Sequence, residues 1–166
     1  MSIHLKRVIG CACVVGVILA GFGLSALFSD KRAEALLAAH ACGKATGAAV
    51  IDMPFDGTVF PPDLAAPDFT WHTSGKTADT WLIAFTFASG NKRLAYVTDA
   101  LSWTPEAAAW RTIVKRCGRE PATVTILGAN HADLAKIVCE ASVTIRVSGD
   151  PVGAPRRVRE LRRGTA

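Results

Sequence analysis

Three cysteines stand outside the apolar N-terminal run: Cys42, Cys117 and Cys139. In an oxidising compartment three thiols allow one bridge and leave one free, in any of three pairings. Cys117 and Cys139 fall on expected helices flanking one strand, so Cys117–Cys139 is the favoured disulfide. The plainer account is that Cys117 is a small apolar residue on its helix's buried stripe and Cys139 sits at the edge of its own. No Cys-x-x-Cys occurs, which removes the thioredoxin-type redox centre and the covalent haem site.

Imidazoles offer the next chemistry. His40 with Cys42, His72 and His131 supply metal-ligating types, but His40 and Cys42 diverge by about 200° on a regular helix and cannot chelate one ion. No metal, cofactor or small-molecule substrate is expected. A Gly-x-Ser-x-Gly elbow is missing. Gly43-Lys44-Ala45-Thr46-Gly47 lacks both the leading glycine and the strand of a phosphate loop. What remains for catalysis is Cys42 or His72 working with an acid from the 52–79 segment, which carries Asp52, Asp56, Asp63, Asp68 and Asp79. The four tryptophans lie on expected apolar faces or loop anchors, where core packing accounts for them.

Charge supplies the last candidate site. The formal net charge is +5, yet residues 29–148 hold 12 basic and 12 acidic residues and are neutral. A basic nucleic-acid-binding body is thereby excluded. The excess sits at the ends: Lys6 and Arg7, and a tail holding Arg156, Arg157, Arg159, Arg162 and Arg163. Arginine suits forked contacts to carboxylate or phosphate groups, so this tail is expected to meet an acidic partner surface or anionic lipid headgroups. A charge run that is merely solvated is the bland alternative.

The elements that must position these groups begin with residues 8–28, an uncharged stretch long enough, at about 1.5 Å per residue, to cross a bilayer as a helix. Lys6 and Arg7 precede it, and the positive-inside bias places residues 1–7 in the cytoplasm. The expected protein is thus anchored by one pass in a cell inner membrane, with its C-terminal domain in the periplasm if the source is bacterial. Ala12, Gly16 and Ala20 repeat at i, i+4 and i+8, a spacing that lets two membrane helices approach closely. Small residues at Gly23-Leu24-Ser25 also permit cleavage after Ser25, which would release a secreted module.

Beyond the anchor the pattern predicts an exit helix over 29–47 and an irregular, proline-rich wrap over 48–80. Trp81–Ala88 reads as a central strand, returning through a Ser89-Gly90 turn as a hairpin arm over 93–98. Thr104-Pro105-Glu106 opens a helix with the buried stripe Ala107, Trp110, Ile113, Val114 and Cys117. Ala122–Leu127 is a strand, and Asn130 caps a further helix carrying Leu134, Ile137, Val138 and Ala141. Ser142–Ser148 alternates as the closing strand. Strand, helix, strand reads as a βαβ crossover. The expected fold class is α/β (or α+β), with a mixed sheet and packed helices over 48–148 and a basic tail over 149–166.

With no catalytic constellation, the expected function is that of an accessory or structural subunit. Its domain would bind other proteins in a membrane or envelope complex, with self-association through the anchor helix and nucleic acid disfavoured. The alternatives are a tethered enzyme with a thiol or His/Asp site, or the cleaved secreted binding module.

Overall fold

The computed structural model describes residues 31–75, 78–90 and 93–149. Helix α1 covers residues 31–42. Strands β1 (Gly47–Met53), β2 (Thr58–Phe60), β3 (Phe69–Thr73), β4 (Thr80–Phe87), β5 (Leu94–Thr98) and β6 (Ser102–Trp103) follow. Helix α2 (Ala107–Cys117) precedes β7 (Ala122–Asn130) and the long β8 (Asp133–Val147). All eight strands belong to one sheet in the order β5-β4-β7-β8-β1-β3-β6, with β2 joining β8 beside β1.

This architecture corrects the expected α/β class. Strands make up 47% of the described residues and helices 20%, and the sheet curls into a nearly closed barrel. The crossover helix is absent. Asn130 and Asp133 pair across a two-residue turn, and the segment read as a helix is the first half of β8, antiparallel to β7. Residues 133–141 carry a helical apolar spacing, but pairing with β7 buries Ile137, Val138 and Cys139 together. Tertiary burial on both faces outweighs a local preference worth only tenths of a kcal/mol per residue. The irregular wrap is likewise replaced by β1 and β3, paired antiparallel through Val50↔His72 and Ile51↔Trp71.

Among the described residues no helix is long and apolar enough to cross a membrane. The expected single-pass inner-membrane placement is corrected accordingly and is not carried further. Residues 8–28, on which that reading rested, lie outside the described residues.

The barrel interior is filled by alternate positions: Trp81, Ile83, Phe85 and Phe87 from β4, Val124 and Ile126 from β7, Ile145 and Val147 from β8. Helix α2 adds Trp110, Ile113 and Cys117 to that cluster. The helix starts at Ala107, two residues later than expected, and its cap residue is Glu106, which makes no side-chain cap. Thr104, the expected cap, donates its hydroxyl to Asp68 instead.

The outer face of the same strands is also apolar, which explains why β4 reads as a continuous hydrophobic run. Leu82, Ala84, Leu127, Ala129 and Ile137 are covered by α1 through Ala33 and a fully buried Leu36. Burying one such leucine contributes about 2 kcal/mol. At one end of α1, Arg32 pairs with Asp99 and donates to Thr80 Oγ1 at 3.0 Å. At the other, His40 Nδ1 lies 3.6 Å from Glu140. The Arg32 guanidinium holds the Asp99 carboxyl below the usual carboxylate range, chiefly through its hydrogen bond. Helix α1 is therefore strapped to the sheet rather than projecting from it.

Candidate functional site

The segment joining β1 to β2 is the most exposed apolar feature of the described surface. Strand β1 ends at Met53, because Pro54 cannot donate to a ladder, and Pro54 itself is buried. The chain then turns at Phe55-Asp56-Gly57-Thr58. Gly57 takes φ +76°, the left-handed conformation glycine adopts without strain. Thr58 donates to the Phe55 carbonyl twice, from its amide at 3.1 Å and from its hydroxyl at 2.6 Å. Two further bonds pin the turn to β8: Gly57 N–H to Thr144 O at 2.8 Å, and Thr144 N–H to Asp56 Oδ1 at 2.7 Å.

On this fully bonded turn Phe55 is 67% exposed, with Met53 at 47% before it and Val59 at 56% after it. Single exposed apolar residues are ordinary. Three within seven residues, on a turn held by four hydrogen bonds, are a rigid apolar projection. Phe55, Phe60, Phe69 and Trp71 recur through the segment the sequence leaves irregular. The structure buries the other three and leaves Phe55 out. The Asp56-Gly57 pair was the available signal, since it marks a turn whose flanking side chain points to solvent.

Beside this projection, the outer face of β1 and β3 carries Val50, 45% exposed, opposite His72. His72 Nδ1 lies 2.9 Å from both carboxylate oxygens of Asp52. The structure thus brings His72 together with an acid of the 52–79 segment. A carboxylate at Nδ1 is one half of a base-and-orienter arrangement and leaves Nε2 for a substrate. The residue directly across from His72 is Val50, which supplies no nucleophile. Both partners are about half exposed, so the pair adds little stability and is best described as a polar rim to the apolar turn.

The other expected residues separate. His131 occupies the β7–β8 turn, where its backbone N–H bonds to Asp79, rather than a helix N-terminus. Among the described residues no three His, Cys, Asp or Glu side chains converge as a metal site would require. Ala12, Gly16 and Ala20 lie outside the described residues, as do Arg156, Arg157, Arg159, Arg162 and Arg163. Cys42 is exposed, Cys117 and Cys139 are buried in one interior cluster, and all three are free thiols.

No known protein family matches this chain, and no curated protein matches it in sequence. The reading of the site rests on its own geometry.

The thiols give a testable pH dependence. Burial, and secondarily the nearby Glu120 carboxylate, pushes the Cys117 thiol up to about 11 from 9.0. Below about pH 9 the thiol is protonated folded or unfolded, and its burial is fully compatible with the native state. Between about pH 9 and 11 the unfolded chain releases this proton while the folded one retains it, so stability falls as pH rises, by about 2 kcal/mol in all. Urea titrations across that range should show a shallower alkaline loss for Cys117→Val than for the native protein. Equal slopes refute the assignment, and recovery of a linked Cys117–Cys139 peptide would replace it with the pairing expected from sequence.

Proposed function

We propose that this domain is a protein-binding module, an accessory subunit that docks a partner protein through the Phe55 turn and the adjoining β1–β3 face. The observation that carries this reading is the combination of exposure and order at Phe55. An aromatic side chain buries a large area on contact, and an already bonded turn loses little conformational freedom when it binds. Energetically dominant interface residues are commonly aromatic anchors surrounded by a polar rim. Met53 and Val59 flank the anchor, and Asp52 and His72 supply a rim.

A benzophenone side chain placed at position 55 tests the reading in cells that naturally make the protein. Irradiation should give a discrete covalent adduct with one partner, and the adduct should weaken at least about tenfold when Met53→Asp is added. The same group at Thr123, exposed on the outer face of β7, should give none. No adduct from position 55, or one unaffected by Met53→Asp, overturns the proposal.

A further inference from the structure

Helix α2 has a second face. Trp110, Ile113 and Cys117 enter the core, while Arg111, Lys115 and Arg119 lie exposed at i, i+4 and i+8 along the opposite side. Together with Ala108, Thr112, Arg116 and Glu120 they line an open groove of about 790 Å³. At about 1.5 Å rise per residue, Arg111 and Lys115 stand about 6 Å apart along the axis, and Arg119 follows in the turn after the helix. The Arg116 guanidinium is held 5.2 Å above the ring of Phe87, which fixes a fourth positive charge in the groove's lining. Glu120 is the acid of the groove, and its carboxylate already accepts from the Ser89 amide at 2.6 Å and from the Ser89 hydroxyl.

Basic residues in a helix's last turn are commonly there to complement its dipole. That accounts for Lys115 and Arg116, the two cations in the last turn of α2. It does not account for Arg111, mid-helix, or for Arg119, two residues past the end. Residues 29–148 are neutral as a whole, so this concentration is local.

We propose that the α2 groove binds an acidic segment of a partner protein in extended conformation. Carboxylates on alternate residues of an extended chain stand about 6.8 Å apart, close to the Arg111–Lys115 spacing along the helix. The chain's own C-terminal tail, bearing five arginines, has the wrong sign to occupy the groove. Nucleic acid is disfavoured because base stacking needs an open aromatic face. The groove's lining holds no aromatic side chain, and the ring beneath Arg116, Phe87, is 2% exposed. The site is separate from the Phe55 turn and stands or falls without it.

The test measures binding of the full-length protein to a fluorescent peptide of alternating glutamate and serine, at low ionic strength and again at about 0.15 M salt. Combined Arg111→Gln, Lys115→Gln and Arg119→Gln keeps helix propensity and removes three charges. It should weaken binding about tenfold at low salt, the effect of three exposed ion pairs, with the gap narrowing as salt screens them. Combined Lys44→Gln, Lys136→Gln and Arg146→Gln removes the same charge from other exposed positions and should stay near the native affinity. A third variant with the five tail arginines changed to glutamine should do likewise. Native-like binding by the groove variant overturns the proposal, as does an equal loss in the control or tail variant. A single-stranded oligonucleotide binding more tightly than the peptide, through the same three residues, overturns the assigned ligand class.

Discussion

Gly128→Ala is expected to destabilise the domain by about 3 kcal/mol, at the upper end of what one added methyl group costs in a packed core. A Cβ at this position would stand 2.6 Å from Trp81 Cζ3, 2.7 Å from Cys139 Sγ and 2.9 Å from Ala78 Cβ. Trp81 and Cys139 are the cross-strand partners of Gly128 on β4 and β8, and both are at most 1% exposed. A packed interior offers no room for either to retreat. Urea denaturation measures the loss directly. Adding Cys139→Ala to Gly128→Ala removes one of the three obstructing atoms, so the double variant should be less destabilised than the two single effects summed. A loss within about 0.5 kcal/mol of zero for Gly128→Ala would show that the strands separate freely there.

Phe85→Ala should cost about 3–5 kcal/mol and loosen the barrel where its two edge strands meet. Strands β5 and β6 are the ends of the sheet path, and no ladder joins them. Aromatic contacts close the seam instead. Tyr96 of β5 stacks on Trp103 of β6 with ring centres 4.6 Å apart. Phe85 supports both from within, at 6.2 Å and 6.1 Å, and meets Phe69 edge-on at 5.6 Å. Removing its ring leaves a cavity under the stack. Hydrogen exchange should therefore accelerate most at β5 and β6 amides, beyond the uniform change expected from lowered global stability. Leu82→Ala, on the opposite face of β4, removes a contact with α1 rather than with the seam. It should not show that local acceleration. Identical exchange patterns in the two variants would mean that the aromatic cluster does not close the barrel.

What the residues themselves disclosed differs from element to element. Strand β4 was legible because six of its eight residues are β-branched or aromatic, and a largely apolar run of that length demands cover on both faces. Helix α2 was legible because its apolar stripe has one period and its ends carry proline and glycine signals. The hairpin arm β5 was also placed correctly, since turn residues bound it. Residues 130–141 misled, because their apolar positions satisfy a helical spacing while their pairing partner lies in a neighbouring strand. Strands β1 and β3 were hidden by prolines that mark the ends of strands here rather than the lack of them.

The candidate site was less visible than the fold. Asp52 and His72 are twenty residues apart, and only the β1–β3 ladder with its irregularity near Met53 brings the carboxylate onto Nδ1. Phe55 carries the same residue type as the buried Phe60 and Phe69, so composition alone does not separate it from them. Of the four cations of the α2 groove, Arg111, Lys115 and Arg119 recur at i, i+4 and i+8, a spacing that reads as one side of a helix. The placing of Arg116 over Phe87 required the folded chain.

By itself, then, the sequence determined what neighbouring residues settle among themselves: the run of β4, the two faces of α2, a neutral body and the lack of local catalytic motifs. Tertiary structure alone decided that 133–147 is one long strand, that the sheet curls into a near-closed barrel, and that α1 lies across its outer face. It also decided that Phe55 is displayed rather than buried. The physical reason is the range of the interactions involved. Periodicity, capping and turn preferences act over a few residues and leave a signature in the chain. Strand pairing and burial join residues far apart, are worth more than local preference, and depend on partners that no short stretch of sequence contains.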